Sequence, residues 1–529
     1  MKYKFVKSLF ALSIGIALIG TGCKKLEDFG DTDVRSDASL NPITSNLLTN
    51  AQVPIANLFA SVNAGIRGEL YAQHWSETQY TDVSLYGNPQ LDFGSYSTGL
   101  YDLQTIINLN TDVATKSTFN VYGTAITPLG SNGSQIAIAT ILKVYYLWTI
   151  TDRWGDVPYS EALQGTVNSF PVFDKQEDIY PRMLADLKGA IASFDNTGAA
   201  VRGDIYFPVP TAPAVATQAN VDKQILSWTK VANSLRMLIA LRMSKVYPSA
   251  GGLAATEFAD AAAQPAIETN AENWVMMYPG GTALQTNVFY SALNGRKDYA
   301  FSQTLGDILS NMSDPRINAY SAPGTAFPYG LPRDQAVAFD GSVSGAYAKP
   351  FNPSFISPTS SIVIIPASYV LLAKAEAVER GWITGVAQDY YESGVNSSFA
   401  QWGQGSAAGY LAGQANYNTG AGGGSNIGFN SAYPSIVGAD ANTSTPLQRI
   451  QLQKYIATFG DGIQAWSEWR RTGVPNLKPT AFGTNSPKEI PRRLTYGTGE
   501  YGTNPTEVAN AAAALTGGDV MNARMWWDQ

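Results

Sequence analysis

The sequence is short of several things, and each shortage excludes something. One Cys in 529 residues leaves no disulfide framework and no Cys-ligated zinc or iron–sulfur site. One His excludes two-His metal centres and leaves His74 as the lone candidate for a His-based triad. Charged residues make up 15% of the chain, against about 25% in an average soluble domain. The net charge of −7 gives nucleic acid nothing to bind. HExxH, Walker A, EF-hand and GxSxG patterns are missing. A single GxGxxG, Gly497–Gly502 (GTGEYG), is followed by Asn504-Pro505 where a dinucleotide site needs a helix. The expectation is therefore a protein without cofactor, without metal and without enzymatic activity. Paired carboxylates of a surface glycoside hydrolase remain open, because their separation is a spatial fact.

Apolar residues, by contrast, reach 45%, aromatics 11% with 28 Tyr, and Gly 49. This is the composition of an aromatic-rich, loop-rich globular chain. Several segments repeat apolar residues at the helical period. They are Gln135–Asp152, Gln224–Val246, Ala367–Gly381 and Leu447–Arg471, with shorter candidates at 47–60, 68–79, 101–115, 176–194 and 301–312. Such stripes can be buried only against one another, which predicts a mainly α architecture. Strands are few, with Ser360–Ile365 the best candidate. Gly, Pro, Asn and Ser fill long stretches without period at 271–295, 321–366, 399–445 and 475–529. Ordered loops of that length usually carry function.

The N-terminus accounts for the single Cys. Residues 1–23 read MKYKFVKSLFALSIGIALIGTGC. Three Lys precede an apolar run of signal-peptide length, and small residues then lead to Cys23. This resembles a bacterial lipobox, in which the signal is removed before the Cys and the Cys is acylated. Three acyl chains, at about 0.8 kcal/mol per buried methylene, make a stable anchor. The expected organisation is a signal peptide over 1–22, a lipidated tether over 23–45, and one domain over 46–529. Loss of three Lys takes the charge from −7 down by three to −10.

Two loop stretches interleave aromatics with uncharged polar residues. The 71–101 stretch carries Tyr71, Trp75, Tyr80, Tyr86, Phe93, Tyr96 and Tyr101, with Asn88 among them. The 274–301 stretch carries Trp274, Tyr278, Phe289, Tyr290, Tyr299 and Phe301, with Asn287 and Arg296. A sugar ring has an apolar C–H face and a hydroxyl rim. Aromatic faces bury the first, and Asn or Arg hydrogen-bond the second. Tyr80, Tyr86, Asn88, Trp274, Tyr278, Asn287, Tyr290 and Arg296 are therefore the candidate ligand-binding residues. Any one of these aromatics could equally pack its loop onto the scaffold.

Longer elements then fall in a characteristic order. They are Tyr145–Leu163 (YYLWTITDRWGDVPYSEAL), Trp228–Arg242 (WTKVANSLRMLIALR) and Asp314-Pro315-Arg316, followed by Pro366–Trp382 (PASYVLLAKAEAVERGW) and Gln453–Pro475 (QKYIATFGDGIQAWSEWRRTGVP). With the lipobox-like start, the chain resembles the SusD/RagB family of Bacteroidetes outer-membrane lipoproteins across roughly residues 45–480. The resemblance implies a scaffold of tetratricopeptide-like helix pairs with long loop insertions, here about 271–366, 399–445 and 475–529. It also implies a non-enzymatic lipoprotein at the outer-membrane surface that binds nutrient oligosaccharide. The partner would be a SusC-like TonB-dependent transporter, to which it hands its ligand. Some members bind peptide instead, and a lid without affinity of its own is a further alternative. The family motifs themselves read as structural. Gly155 and Pro158 end a helix, Asp152 and Arg153 are placed to bridge helix ends, and Arg470 and Arg471 sit in a last helical turn, where cations suit the helix dipole and can pair with Glu468 or a more distant acid.

Overall fold

The computed structural model describes residues 43–116, 121–122, 125–210, 217–413, 415–418 and 445–529. Cys23, nearly all of the tether and the glycine run Thr419–Ser425 lie outside the described residues. The first half is helical: α1 (Thr44–Phe59), α2 (Gly65–Tyr71), α3 (Tyr101–Thr111), α4 (Asn132–Trp154), α5 (Gln176–Ser193), α6 (Gln218–Arg242) and α7 (Leu253–Ala262). Shorter pieces follow: α8 (Val288–Leu293), α9 (Gln303–Asn311), α10 (Ile317–Tyr320) and α11 (Arg333–Ser342). The second helical block holds α12 (Ala367–Glu379), α13 (Ala387–Gln401), α14 (Ala408–Ala412), α15 (Pro446–Ala457), α16 (Gly462–Thr472), α17 (Thr498–Thr503) and α18 (Pro505–Ala514). No described helix is long and apolar enough to cross a membrane.

Helices pack as successive pairs. α3 lies on α4, α4 on α5, α5 on α6 and α6 on α7; α12 lies on α13 and α15, and also reaches α6. The fold is thus mainly α, built from helix pairs with few short strands. Local sequence explains the main boundaries. The Ser131 side chain accepts from the Ser134 N–H to start α4, and Gly155, at φ 97°, ends it. Every residue of α12 from Ala367 to Ala377 is buried. A helix apolar nearly all round is a central one, and α12 occupies that place between α6, α13 and α15.

Leu447–Arg471, expected as one helix, is two. The chain leaves α15, passes Gly460 at φ 92°, and re-enters at α16, where Asp461 Oδ1 accepts from the Gln464 N–H at 3.2 Å. The break lets α16 cross α2 backbone to backbone. A Cβ on Gly68 would stand 2.0 Å from the Gly462 carbonyl oxygen, so only glycine permits the approach. The segment 68–79, also expected as helical, stops at Tyr71; Gln73, at φ 57°, turns the chain into β1 (Trp75–Glu77). The expected loops contain structure too. Residues 271–295 hold β4 (Trp274–Met276) and α8, and 475–529 hold α17 and α18.

The strands form small antiparallel pairs, among them β2 (Val121–Tyr122) with β3 (Ala125–Pro128). β1 pairs with β5 (Tyr299–Phe301), setting Trp75 opposite Phe301 and Glu77 opposite Tyr299. β4 pairs with β6 (Ile362–Ile365), setting Trp274 opposite Ile365. The first pair joins the two aromatic stretches that are far apart in sequence.

The family motifs build a buried charge network. Arg471 donates to Glu376 at 2.7 and 2.8 Å and to Glu468 at 2.7 Å. Lys454 lies 2.8 Å from Glu468 and 3.3 Å from Glu376, and Arg242 lies 3.0 Å from Glu468 and 3.3 Å from Asp152. Five helices, α4, α6, α12, α15 and α16, are thereby cross-linked. Burial disfavours ionisation of Glu376 and Glu468, but the cations, Arg471 first, more than offset it and hold both carboxyls well below the usual range. Asp152 bridges the end of α4 to α5 and α6, through Tyr180 and Arg242. Asp152 accepts from Tyr180, while Arg153 donates to the Thr149 and Asn63 carbonyls. Arg316 and Asp314 form a second buried pair, extended by Ser398 and Gln453.

Candidate functional site

The β1–β5 pairing decides which predicted residues can act together. Beyond Glu77 the chain leaves the strand, and Tyr80 is left 68% exposed. Arg296 lies just before β5, the strand that β1 pairs with. Arg296 is itself fixed by Asp298, with Nε 2.6 Å from the carboxylate, and the pair raises its pKa. Tyr290, in the short helix α8, faces the same place. The Asn287 side chain caps that helix, accepting from the Tyr290 N–H at 3.0 Å, and donates to the Ser360 carbonyl at 2.8 Å.

Arg296, Tyr290 and Asn287 line two adjoining cavities; Tyr80 lines neither. The first, about 200 Å3, is walled by Tyr290, Tyr299 and Phe351, with Arg296, Asp298 and Lys349 among the polar groups. The second, about 270 Å3, is walled by Phe289, Phe351, Phe355, Tyr369, Trp402 and Phe459, with Asn287, Ser360, Gln401 and Asp461 among its polar groups. Both include Phe351 and Ile356, so the two form one groove. Its rings are packed on one another. Phe351 lies 6.1 Å from Trp402 with planes 25° apart, and Phe459 stacks on Tyr320 at 4.2 Å. Such packing fixes the ring orientations, and a preorganised wall loses little freedom on binding. Burial pushes the Asp461 carboxyl up to about 8, helped by nearby Glu69 and opposed by the Gln464 N–H and Arg242.

The remaining predicted residues are not at this site. Trp274 is fully buried against Tyr145, Tyr206 and Trp228; it closes the helical core where a stacking face was expected. Tyr86 is also buried, with its hydroxyl accepting from the Thr480 N–H at 3.1 Å. Tyr278 is buried with no exposed ring face. Asn88 is exposed but accepts from Thr495 at 2.6 Å, away from the groove. For the three aromatics the physical reason is the same: loops that carry large aromatics bury most of them to hold their own shape. Conversely, Phe351, Phe355, Trp402 and Phe459 were not among the candidates. The run Phe351-Asn-Pro-Ser-Phe355 carries the same aromatic-in-polar-loop signal and was legible. Phe459 was hidden in the stripe of a supposed continuous helix.

Other chemistry finds no support here. His74 is fully buried, its Nδ1 2.9 Å from Glu69 and its ring 4.5 Å from Tyr455, which is a core packing role. The Gly497–Gly502 turn is occupied by the chain's own Asp92, whose carboxylate accepts from the Gly499 N–H at 3.0 Å. Among the described residues, no group of three or more His, Cys, Asp or Glu is placed to hold a metal ion.

Comparison with known proteins agrees with this fold. The SusD-like family described as "Starch-binding associating with outer membrane" matches residues 36–497. No curated protein matches. Among solved structures, a chitin-binding protein is 25% identical, with a TM-score of 0.68 over 92% of this chain and 100% of that one. A chitin-binding SusD homologue from Flavobacterium johnsoniae is 23% identical, with a TM-score of 0.70 over 91% of this chain and 98% of its own. A SusD homologue from Bacteroides fragilis is 22% identical, with a TM-score of 0.69 over 92% and 100%. The chain belongs to the SusD-like family of non-catalytic, outer-membrane-associated nutrient-binding proteins.

Proposed function

We propose that this protein is a surface lipoprotein, anchored through Cys23, that captures a nutrient oligosaccharide in the Tyr290–Phe351–Trp402 groove. It hands the ligand to a SusC-like TonB-dependent transporter. The observation that carries the reading is the groove itself: the 274–301 cluster lines it together with Phe351, Phe355 and Trp402, and its walls are aromatic with a few fixed polar groups, Arg296, Asp298 and Asn287. That is the chemistry a sugar ring needs, apolar faces for its C–H side and donors for its hydroxyls. The starch-binding description of the family and the chitin-binding relatives support carbohydrate over peptide. Each stacking contact contributes about 0.5–1.5 kcal/mol beyond buried area, so a micromolar affinity, about 8 kcal/mol, needs several rings together.

The test is titration calorimetry of the full chain in detergent with neutral oligosaccharide series and, separately, a peptide library. Micromolar binding of one series, weakened by Tyr290→Ala and Phe355→Ala, is the expected result. Retention of peptide alone would replace the ligand class, and turnover of a glycan would refute the non-catalytic role. For the partner, co-purification of a β-barrel from native outer membrane is expected, with Cys23→Ala releasing the protein from that fraction.

A further inference from the structure

The first cavity differs from the second in charge. Two cations line it, Arg296 and Lys349, and Asp298 is the one carboxylate among its described lining residues. Asp298 is already engaged. Its Oδ2 accepts from Arg296 Nε at 2.6 Å, and Nη2 lies 2.5 Å from the same oxygen. That contact uses one edge of the guanidinium. Nη1 has no partner among the described residues, so its N–H groups stay open. Lys349 is exposed and makes no ion pair among the described residues. The lining thus carries two positive charges and one negative, a net +1, in a chain whose formal charge is −7.

Both cations are held at their backbone. The Lys349 carbonyl accepts from the Ala322 N–H at 2.9 Å, and the neighbouring Ala348 N–H donates to the Thr325 carbonyl at 2.8 Å. The Arg296 N–H donates to the Leu293 carbonyl at 3.1 Å. The rest of the wall is ring and aliphatic, with Tyr290, Tyr299, Phe351 and Ile356. A pyranose stacked on such a wall presents its substituents at the ring edge, within reach of polar groups in the same cavity. A hydroxyl gains an ordinary hydrogen bond there. An anionic group gains a charge-assisted one, about twice as strong, and balances a charge that the protein leaves unmatched.

Resting on the oligosaccharide reading, we infer that this cavity takes a sugar unit with an anionic substituent, a carboxylate or a sulfate ester, held between Lys349 and the open edge of Arg296. The nutrient is then an acidic oligosaccharide. Its neutral units bind by stacking, and the acidic unit sets the preference. A net-acidic protein does not draw polyanions from a distance, and charges beyond a Debye length are screened, so the cavity selects at contact.

Calorimetry of the full chain in nonionic detergent tests this with α-1,4, β-1,4 and β-1,3 glucan oligosaccharides of equal length, each carrying at C6 a hydroxyl, a carboxylate or a sulfate ester. On a backbone that binds, a charged series should bind about tenfold tighter than the hydroxyl series at low salt. The preference should shrink at about 0.5 M salt, as screening requires. The carboxylate and sulfate arms distinguish the two substituents. Lys349→Gln, at an exposed position, should remove most of the preference. Lys297→Gln, the same charge change at an exposed neighbour of Arg296 that does not line the cavity, should keep it. Equal affinity for charged and hydroxyl series overturns the inference and leaves the oligosaccharide reading intact. A preference that survives Lys349→Gln, or that Lys297→Gln removes equally, overturns the placement in this cavity. If no charged series binds, the inference falls, and the oligosaccharide reading falls with it only when no neutral glycan binds either.

Discussion

The charge network around α16 and the groove around Phe351 are both rich in aromatics and polar groups, yet they are built on opposite terms. In the network, Arg471, Glu376, Glu468 and Lys454 each have ion-pair partners, and Arg470 lies 3.7 Å over the Trp466 ring. In the groove, rings pack on one another, Phe351 against Trp402 and Phe459, and Arg296 at its edge is exposed. Ion pairs across five helices specify one arrangement of them. The half-buried rings of Phe355 and Trp402 leave apolar surface for a ligand. The motifs that identify the family lie in the first region, and the proposed site lies in the second.

The contrast can be broken most forcefully in the network. Glu376→Gln leaves Arg471 and Lys454 facing a neutral amide in the core. Stability should fall by about 3–5 kcal/mol, the usual loss when one partner of a buried pair is removed, read as a lower urea midpoint. Trp274→Ala should cost a similar amount, about 3–5 kcal/mol, by opening a cavity among Tyr145, Tyr206 and Trp228. Gly68→Ala should cost about 1–3 kcal/mol by forcing α2 off α16. In the groove, Tyr290→Ala should weaken glycan binding by about 0.5–1.5 kcal/mol and leave the urea midpoint almost unchanged. The smallest effect is expected for Tyr80→Ala, whose ring is exposed: stability should stay within about 0.5 kcal/mol. A large loss of stability there would place Tyr80 in the scaffold and erase the distinction.

The two regions also differ in pH response. Glu376 and Glu468 have folded pKa values held below the ordinary glutamate value of 4.5. Their contribution is complete above that value and is lost as pH falls through their lowered folded values. Asp461 has the opposite sign. Its pKa is raised from 3.8 to about 8, so its contribution is fullest in acid and is lost as pH rises between those values. Urea midpoints of the wild type across this range, compared with Glu376→Gln and Asp461→Asn, should show the acid limb flattened by the first and the neutral limb by the second.

Helices were legible where periodicity and caps agreed. Ala367–Gly381 is observed as α12, Ala367–Glu379, with Gly381 at φ 68° just beyond. Gln176–Phe194 is observed as α5, Gln176–Ser193. The break at Gly460-Asp461 was hidden because Tyr455, Phe459, Ile463 and Trp466 keep helical spacing across it. Of the candidate site, Asn287, Tyr290 and Arg296 line the groove and Tyr80 stands beside it, whereas Trp274 and Tyr86 are core. Sequence spacing alone cannot separate these, because a loop aromatic that stacks on a ligand and one that pins its loop occur in the same polar surroundings.

By itself the sequence determined the helical class, the order of the family motifs and the absence of Cys- and His-based chemistry, because these depend on residue identity and local period. Only the tertiary structure decided which aromatics face outward, that β1 and β5 bring residues 71–101 and 274–301 together, and that Phe351, Trp402 and Asp461 share a cavity. Those facts follow from long-range pairing and burial, which no local pattern encodes.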